Sequence, residues 1–232
     1  TYGTGCFALL NTGATPVASN SRLLTTIAYQ LDGKRSYALE GAIFIAGAAV
    51  QWLRDGLQLF ESAADSEALA RSVPDSGGVV FVPALTGLGA PDWDPTARGT
   101  VVGITRATTR AHLVRATLEA IAFEVRDVVD LMVRESSVAL PSLAVDGGAS
   151  ANDLLCQLQA DQLQVPVLRP DAVETTGLGA AFLAGLGTGV WASTDEVSAQ
   201  LSAAADARFD PQPHDPAAHR LWRIAVERSK GW

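Results

Sequence analysis

Apolar positions along this chain follow two different periods. Residues 4–11 form a short apolar run ended by Asn11-Thr12-Gly13, which reads as a buried strand and a turn. Residues 23–31 are β-branched and apolar and stop at Asp32-Gly33, a tight-hairpin signal. Residues 35–40 make a third strand, and three strands joined by short turns predict an antiparallel meander. From 41 to 59 the spacing becomes helical, with Ala42, Ile45, Ala46, Ala49, Val50 and Leu53 on one side. This predicts a helix over 41–59 with Gly47 inside it. An interior glycine costs about 1 kcal/mol relative to alanine, so either something approaches the backbone there or two helices pack closely. Gln51 follows one turn later on the same face.

The pattern continues as alternating elements. A short helix is predicted over 65–72 and a strand over 78–83. Residues 83–95 are too rich in Gly and Pro for regular structure, yet they carry Leu88 and Trp93, so a packed or functional loop is expected. Another strand spans 99–105. Thr109 is placed to cap a long helix reaching about Glu135, with a wide apolar face that includes Leu113, Leu118, Ile121, Val125 and Val128. A strand over 165–168 follows. Residues 174–179 then lead into a helix of small residues through Ala180, Ala181, Leu183 and Ala184. Thr194 is placed to cap an exposed helix, and a Pro-rich piece over 210–216 precedes a last helix over 217–230. Strands followed by helices that alternate with strands predict an α/β sheet of mixed direction with helices packed on it.

The stretch around which the rest is organised is Leu143-Ala144-Val145-Asp146-Gly147-Gly148-Ala149-Ser150-Ala151-Asn152-Asp153. It starts as a strand, breaks at a glycine pair and enters a helix with Leu154, Leu155, Leu158 and Leu163 on its apolar side. Ser150 or Asn152 is placed to cap that helix. A strand turning through glycines into a helix start leaves N–H groups and partial positive charge exposed, which suits a nucleotide or a phosphate. The competing reading is that the glycines are there for steric reasons alone.

Composition narrows the classes. Of 232 residues, 48% are hydrophobic and 18% charged, enough for a substantial core and against disorder. No apolar run approaches a membrane span, and no signal peptide opens the chain. The net charge of −8 argues against a nucleic-acid surface, but not against a nucleotide held by backbone N–H groups and Mg²⁺. Cys6 and Cys156 read as buried free thiols, which fits a reducing cytoplasm. The chain opens at Thr1, its single methionine is Met132, and residues 1–10 read as the middle of a motif. A fragment or processed piece of a longer protein is therefore expected.

Several motifs are missing: there is no G-x-x-x-x-G-K-[ST] loop, no H-E-x-x-H, no G-x-S-x-G elbow and no G-x-G-x-x-G after a strand. His112, His214 and His219 are scattered without an evident partner and read as surface residues. Asp92 and Asp94 could bind a metal, but a turn held by Asx-type hydrogen bonds is the preferred reading.

Several stretches together resemble the glycerol-kinase branch of the FGGY carbohydrate kinase family. They are Thr1-Tyr2-Gly3-Thr4-Gly5-Cys6-Phe7, Tyr37-Ala38-Leu39-Glu40-Gly41-Ala42, Gln51-Trp52-Leu53-Arg54-Asp55, Thr86-Gly87-Leu88-Gly89-Ala90-Pro91 with Trp93-Asp94-Pro95, and Val145-Asp146-Gly147-Gly148 with Ala151-Asn152. A further signature runs from Gly99 through Gly103 and His112 to Glu119. Xylulose- and gluconate-kinase relatives carry a Gly-Glu-Arg type sequence where this chain has Gly87-Leu88-Gly89-Ala90-Pro91. The resemblance implies an actin-like, ribonuclease-H-like α/β fold of two domains with ATP between them, residues 1–232 being the C-terminal nucleotide-binding domain. It implies MgATP-dependent phosphorylation of glycerol to glycerol 3-phosphate. Gly3 and Thr4 would contact nucleotide phosphates, Gly47 and Gln51 the adenosine, and Gly148 and Asn152 phosphate and adenine, while Phe7 would be a wall against glycerol carbons. The one departure, Gly177 where alanine is expected, is minor. The catalytic aspartate, the Mg²⁺-binding acids and most glycerol contacts of such kinases would lie upstream of Thr1, so no catalytic residue is assigned here and the isolated chain is expected to be inactive. The resemblance also implies a homo-oligomeric parent in the cytoplasm, without nucleic-acid or membrane partners. A kinase of another polyol or sugar and a non-catalytic actin-like nucleotide module are the alternatives.

Overall fold

The computed structural model describes residues 1–171, 175–201 and 207–231. The first three strands are β1 (Cys6–Gly13), β2 (Leu24–Leu31) and β3 (Lys34–Ile43), all antiparallel, in the spatial order β1-β3-β2. The expected meander is corrected: β3 stands in the middle and pairs with both β1 and β2, which do not pair with each other. The connection from β1 to β2 is ten residues long, too long for a two-residue hairpin. The Asp32-Gly33 turn is as expected, both residues having positive φ (49° and 76°). The turn expected at Asn11 begins later. β1 continues to Gly13 through an irregularity in register, where Asn11 Oδ1 accepts the Gly13 N–H at 2.8 Å.

The helix expected over 41–59 shortens to α1 (Gly47–Asp55). Residues 41–43 continue β3 instead, because Gly41 lies against Val128 and Met132 of the central helix and admits no side chain. Gly47 thus opens α1 rather than interrupting it. α2 (Asp65–Arg71), β4 (Val80–Val82) and β5 (Thr100–Val102) follow, the two strands forming an antiparallel pair. α3 (Arg110–Ser136) is the central support. Val114, Leu118, Ile121, Val125 and Val128 are all buried along it. Thr109 and His112 close its N-terminus, His112 Nδ1 accepting the Thr109 N–H at 3.1 Å.

β6 (Leu143–Ala144), a 3₁₀ turn (Gly148–Ala151), α4 (Asp153–Leu163) and β7 (Val167–Arg169) build the glycine stretch. β6 and β7 are parallel, and β8 (Ala207–Phe209), a three-residue strand that the sequence pattern does not signal, pairs antiparallel to β7. The expected mixed α/β arrangement holds, but among the described residues it takes the form of three small sheets rather than one. Tyr2 ties two of them: its N–H donates to Asp146 O at 2.7 Å and its carbonyl accepts from Ala149 at 3.1 Å. Its hydroxyl reaches Gln159 Oε1 at 2.6 Å.

α5 (Thr175–Thr188) and α6 (Thr194–Leu201) come next; Glu174, where the approach to α5 was read, lies outside the described residues. Ser193, not Thr194, caps α6, its Oγ accepting the Glu196 N–H. α7 (Pro216–Arg228), capped by Asp215, closes the described chain and buries Trp222. No described helix is long and apolar enough to cross a membrane.

The three histidines correct the expectation of unpartnered surface residues. Besides His112, His219 Nε2 sits 2.7 Å from Asp127, and His214 faces Gln164 and Arg126. Asp94 holds its turn through Thr96 and Ala97, as expected of an Asx-type arrangement. Asp92 does something else: it accepts from Arg223 and Lys230 and fastens the 83–95 loop to α7. Cys6 and Cys156 are buried free thiols, and burial pushes them up to about 12 and about 11.

Candidate functional site

Five stretches of the sequence meet at one cavity of about 520 Å³, a size suited to a small molecule such as a nucleotide. Gly3, Thr4, Gly47, Gln51, Gly148 and Asn152, the six residues assigned to the nucleotide, all line it. Phe7 does not. It is on β1, 48% exposed, opposite Ala42 on the outer face of the sheet.

Backbone geometry brings the first two segments together. Gly47 N–H donates to Gly3 O at 3.0 Å, and Ala46 and Ala48 donate to Thr4 O at 2.9 and 3.0 Å. A Cβ on Gly47 would stand 2.6 Å from Gly3 O. What approaches the Gly47 backbone is therefore the chain's own first turn, and the glycine is needed for that approach. The same bonds occupy the first N–H groups of α1.

The glycine pair divides its labour. Gly147 has φ +87°, and a Cβ there would be 2.6 Å from Tyr2 O, so its reason is steric. A Cβ on Gly148 would meet nothing within 4 Å. No neighbour in the chain requires glycine at 148, and the position opens onto the cavity.

The expected nest of free N–H groups is corrected. Ala149, Ser150 and Asn152 donate to Tyr2, Gly147 and Ala149 carbonyls. Asp153 N–H donates to Glu67 Oε2 at 2.9 Å, and Leu155 N–H to Asn152 Oδ1 at 2.9 Å. Asn152 is thus the cap of α4, while Ser150 is wholly buried with its Oγ on Gly147 O. The turn and α2 use several of these donors themselves, so a ligand is offered fewer than the sequence promised.

The remaining lining comes from elements the sequence did not mark. Ala63, Ala64, Ser66 and Glu67, around the start of α2, form one side. Ser66 Oγ donates to Ala63 O and accepts from Asn152 Nδ2 at 3.3 Å, so α2 and α4 share a bond at the cavity edge. The small Ala63-Ala64 pair was the available signal, but only the folded chain places it opposite Asn152. Val50, Leu118 and Leu155 supply an apolar floor. Glu67 is the one ionisable side chain among the lining residues. An apolar, cation-free wall suits a flat heterocycle and its sugar better than a bare phosphate chain.

Asp146 sits at the edge of this turn. Burial works to raise its carboxyl, but hydrogen bonds from Thr1 and Thr175 and the nearby amino terminus outweigh it and hold it below the ordinary carboxylate range. The Thr175 hydroxyl bond ties the turn to the start of α5.

The chain is 59% identical, over its whole length, to glycerol kinase of Aromatoleum aromaticum, and covers 47% of that protein. It is 56% identical to glycerol kinase 2 of Thermotoga maritima, again covering 47%. Among solved structures, Plasmodium falciparum glycerol kinase with ADP superposes with a TM-score of 0.90 at 37% identity, over all of this chain and 46% of that one. Gluconate kinase of Lactobacillus acidophilus gives 0.78 at 25%, over 98% of this chain and 45% of that one. The chain thus spans about half the length of the relatives it matches, and it shares their actin-like, ribonuclease-H-like fold. The C-terminal domain of the FGGY family matches residues 1–188, and this chain belongs to that family of carbohydrate kinases.

Proposed function

We propose that this chain is the C-terminal, nucleotide-binding half of an enzyme that transfers the γ-phosphoryl group of ATP to glycerol, giving glycerol 3-phosphate. The observation that carries the reading is the convergence of Gly3, Thr4, Gly47, Gln51, Gly148 and Asn152 on one cavity. The ADP named with the Plasmodium relative and the identity to glycerol kinases support it. In this reading the adenosine lies on the apolar floor between α2 and the 148–152 turn. Gly148 lets the ligand approach the backbone, and Gln51 stands at the rim. Phe7, exposed on the sheet's outer face, is free to touch the carbons of a bound polyol.

Phosphoryl transfer in such kinases needs a base to orient the attacking hydroxyl and positive charge on the phosphates. No cation lines this cavity, and among the described residues no group of three or more His, Cys, Asp or Glu is placed to hold a metal ion. Mg²⁺ therefore enters here only as the companion of the triphosphate, and no step is derived through it. The base and the charge would come from the rest of the parent protein. The contribution of this half is to bind the nucleoside and present its phosphates; closure against the other half would then exclude water. A homo-oligomeric parent belongs to the same reading.

Two measurements test it. Titration calorimetry of the purified chain with ADP should show saturable one-to-one binding, whereas assay of the same chain with glycerol and MgATP should show no turnover. Turnover at an ordinary kinase rate would refute the half-enzyme reading, and absent ADP binding would refute the nucleotide site. Comparing full-length parent activity on glycerol with a panel of polyols and sugars tests the substrate.

A further inference from the structure

Behind the 148–152 turn, outside the cavity, stands a cation that the nucleotide reading leaves without a role. Arg169 is the last residue of β7. Its Nη1 donates to Ser150 O at 2.6 Å and lies 2.8 Å from Asp153 Oδ1. Its guanidinium carbon sits 5.3 Å over the ring of Phe209, supplied by β8. The Ser150 carbonyl also accepts from Cys156 Sγ at 3.2 Å, so this oxygen is held from two sides.

The placement is specific. Gly148 and Asn152 flank Ser150 two residues to either side, and with Ala149 and Ala151 they line the cavity. Asp153 follows Asn152 directly, and its N–H is held from the other side of the turn by Glu67. A single guanidinium nitrogen, Nη1, faces both an acceptor in the middle of the turn and a carboxylate at its end, so the charge holds the two close together. The Phe209 ring beneath the guanidinium carbon adds a cation–π contact that holds the head group in place. A small displacement of a binding turn weakens a ligand that touches only its front.

We infer that Arg169 is a positioning residue for the nucleotide, acting through the Ser150 carbonyl and the Asp153 carboxylate without touching the ligand. The inference rests on the nucleotide reading above. The bland alternative is that Arg169 staples β7 to α4 and contributes to stability alone.

The test is titration of the purified chain with ADP, well below the melting temperature of every variant, for wild type, Arg169→Met, Arg169→Lys and Val128→Ala. Val128 is buried in α3 away from the cavity, so Val128→Ala lowers the melting temperature without touching the turn. Arg169→Met should weaken ADP about tenfold through the lost charge-assisted bonds. Arg169→Lys, which keeps the charge but not the planar guanidinium set over Phe209, should weaken it about threefold. Val128→Ala should bind like wild type, although it melts lower. If both Arg169 variants bind within about twofold of wild type, the positioning role is wrong while the nucleotide site stands. If wild type itself does not bind ADP, the nucleotide reading fails and this inference falls with it. Should Arg169→Met fail to fold, Arg169→Lys carries the same comparison.

Discussion

The side-chain amide of Asn152 works in two directions: Oδ1 accepts the Leu155 N–H at 2.9 Å, and Nδ2 donates to Ser66 Oγ at 3.3 Å. The first bond caps α4; the second crosses to α2 over 86 positions of sequence and sets the width of the cavity. The two roles are separable by substitution. Asn152→Ser keeps a capping oxygen but is too short to reach Ser66. Asn152→Ala loses both bonds, and the cap alone is worth about 1 kcal/mol. Asn152→Ser should therefore melt close to wild type yet bind ADP more weakly, while Asn152→Ala should lose stability and affinity together. Equal melting points for the two variants would show that the cap contributes nothing here.

Gly147 and Gly148 are adjacent and identical, but alanine should affect them in opposite ways. At 147 the positive φ and the Tyr2 carbonyl oppose any Cβ, so Gly147→Ala should destabilise the fold by at least about 1 kcal/mol. At 148 no atom of the chain opposes a Cβ. Gly148→Ala should unfold at or slightly above the wild-type denaturant midpoint, because alanine restricts the unfolded chain. Its cost should appear only in ADP affinity. Urea unfolding of both variants, paired with ADP titration, checks this; a Gly148→Ala chain that binds ADP like wild type removes Gly148 from the site.

These residues show how much of the site the sequence could carry. The glycine stretch pointed to a strand that turns into a helix, and the resemblance picked out six residues that the fold brings to one cavity, which other residues line as well. Neither could say which glycine a neighbouring backbone requires and which it does not, since that depends on where Tyr2 lies. The helix read over 41–59 failed at its start because Gly41 and Ala42 fit a helical spacing as well as a strand. Packing against Val128 and Met132, contacts more than 80 residues away, decided for the strand. The order of the first sheet was equally invisible, because alternation along a strand does not name its neighbour. The α2 lining has only the small Ala63-Ala64 pair as a local signal and Arg169 has none, and only the folded chain sets them beside the turn.

The last prediction concerns two carboxyls that burial treats in opposite ways. Burial works to raise Asp92, but hydrogen bonds and charge from Arg223 and Lys230 outweigh it and hold the group below its ordinary 3.8. Glu124 has no such cation. Burial, then the charges of Asp127 and Asp92, push it well above its ordinary 4.5. The signs follow by linkage. For Asp92 the folded protein binds its proton less readily than the unfolded chain, so its contribution is complete above the unfolded value and is lost as pH falls through the folded one. For Glu124 the folded protein binds the proton more readily, so stability is complete below the unfolded value and is lost as pH rises towards the folded one. Asp92→Asn should therefore melt lower than wild type near neutrality, and the gap should close in acid. Glu124→Gln, a neutral isostere, should melt higher than wild type near neutrality, and that gap should also close below about pH 4. Melting temperatures of the three proteins between pH 2 and 8 give both curves. A Glu124→Gln advantage that stays constant across this range would mean that the carboxyl does not titrate with folding, and a Glu124→Gln chain less stable than wild type at pH 7 would mean that Glu124 is held charged by a partner.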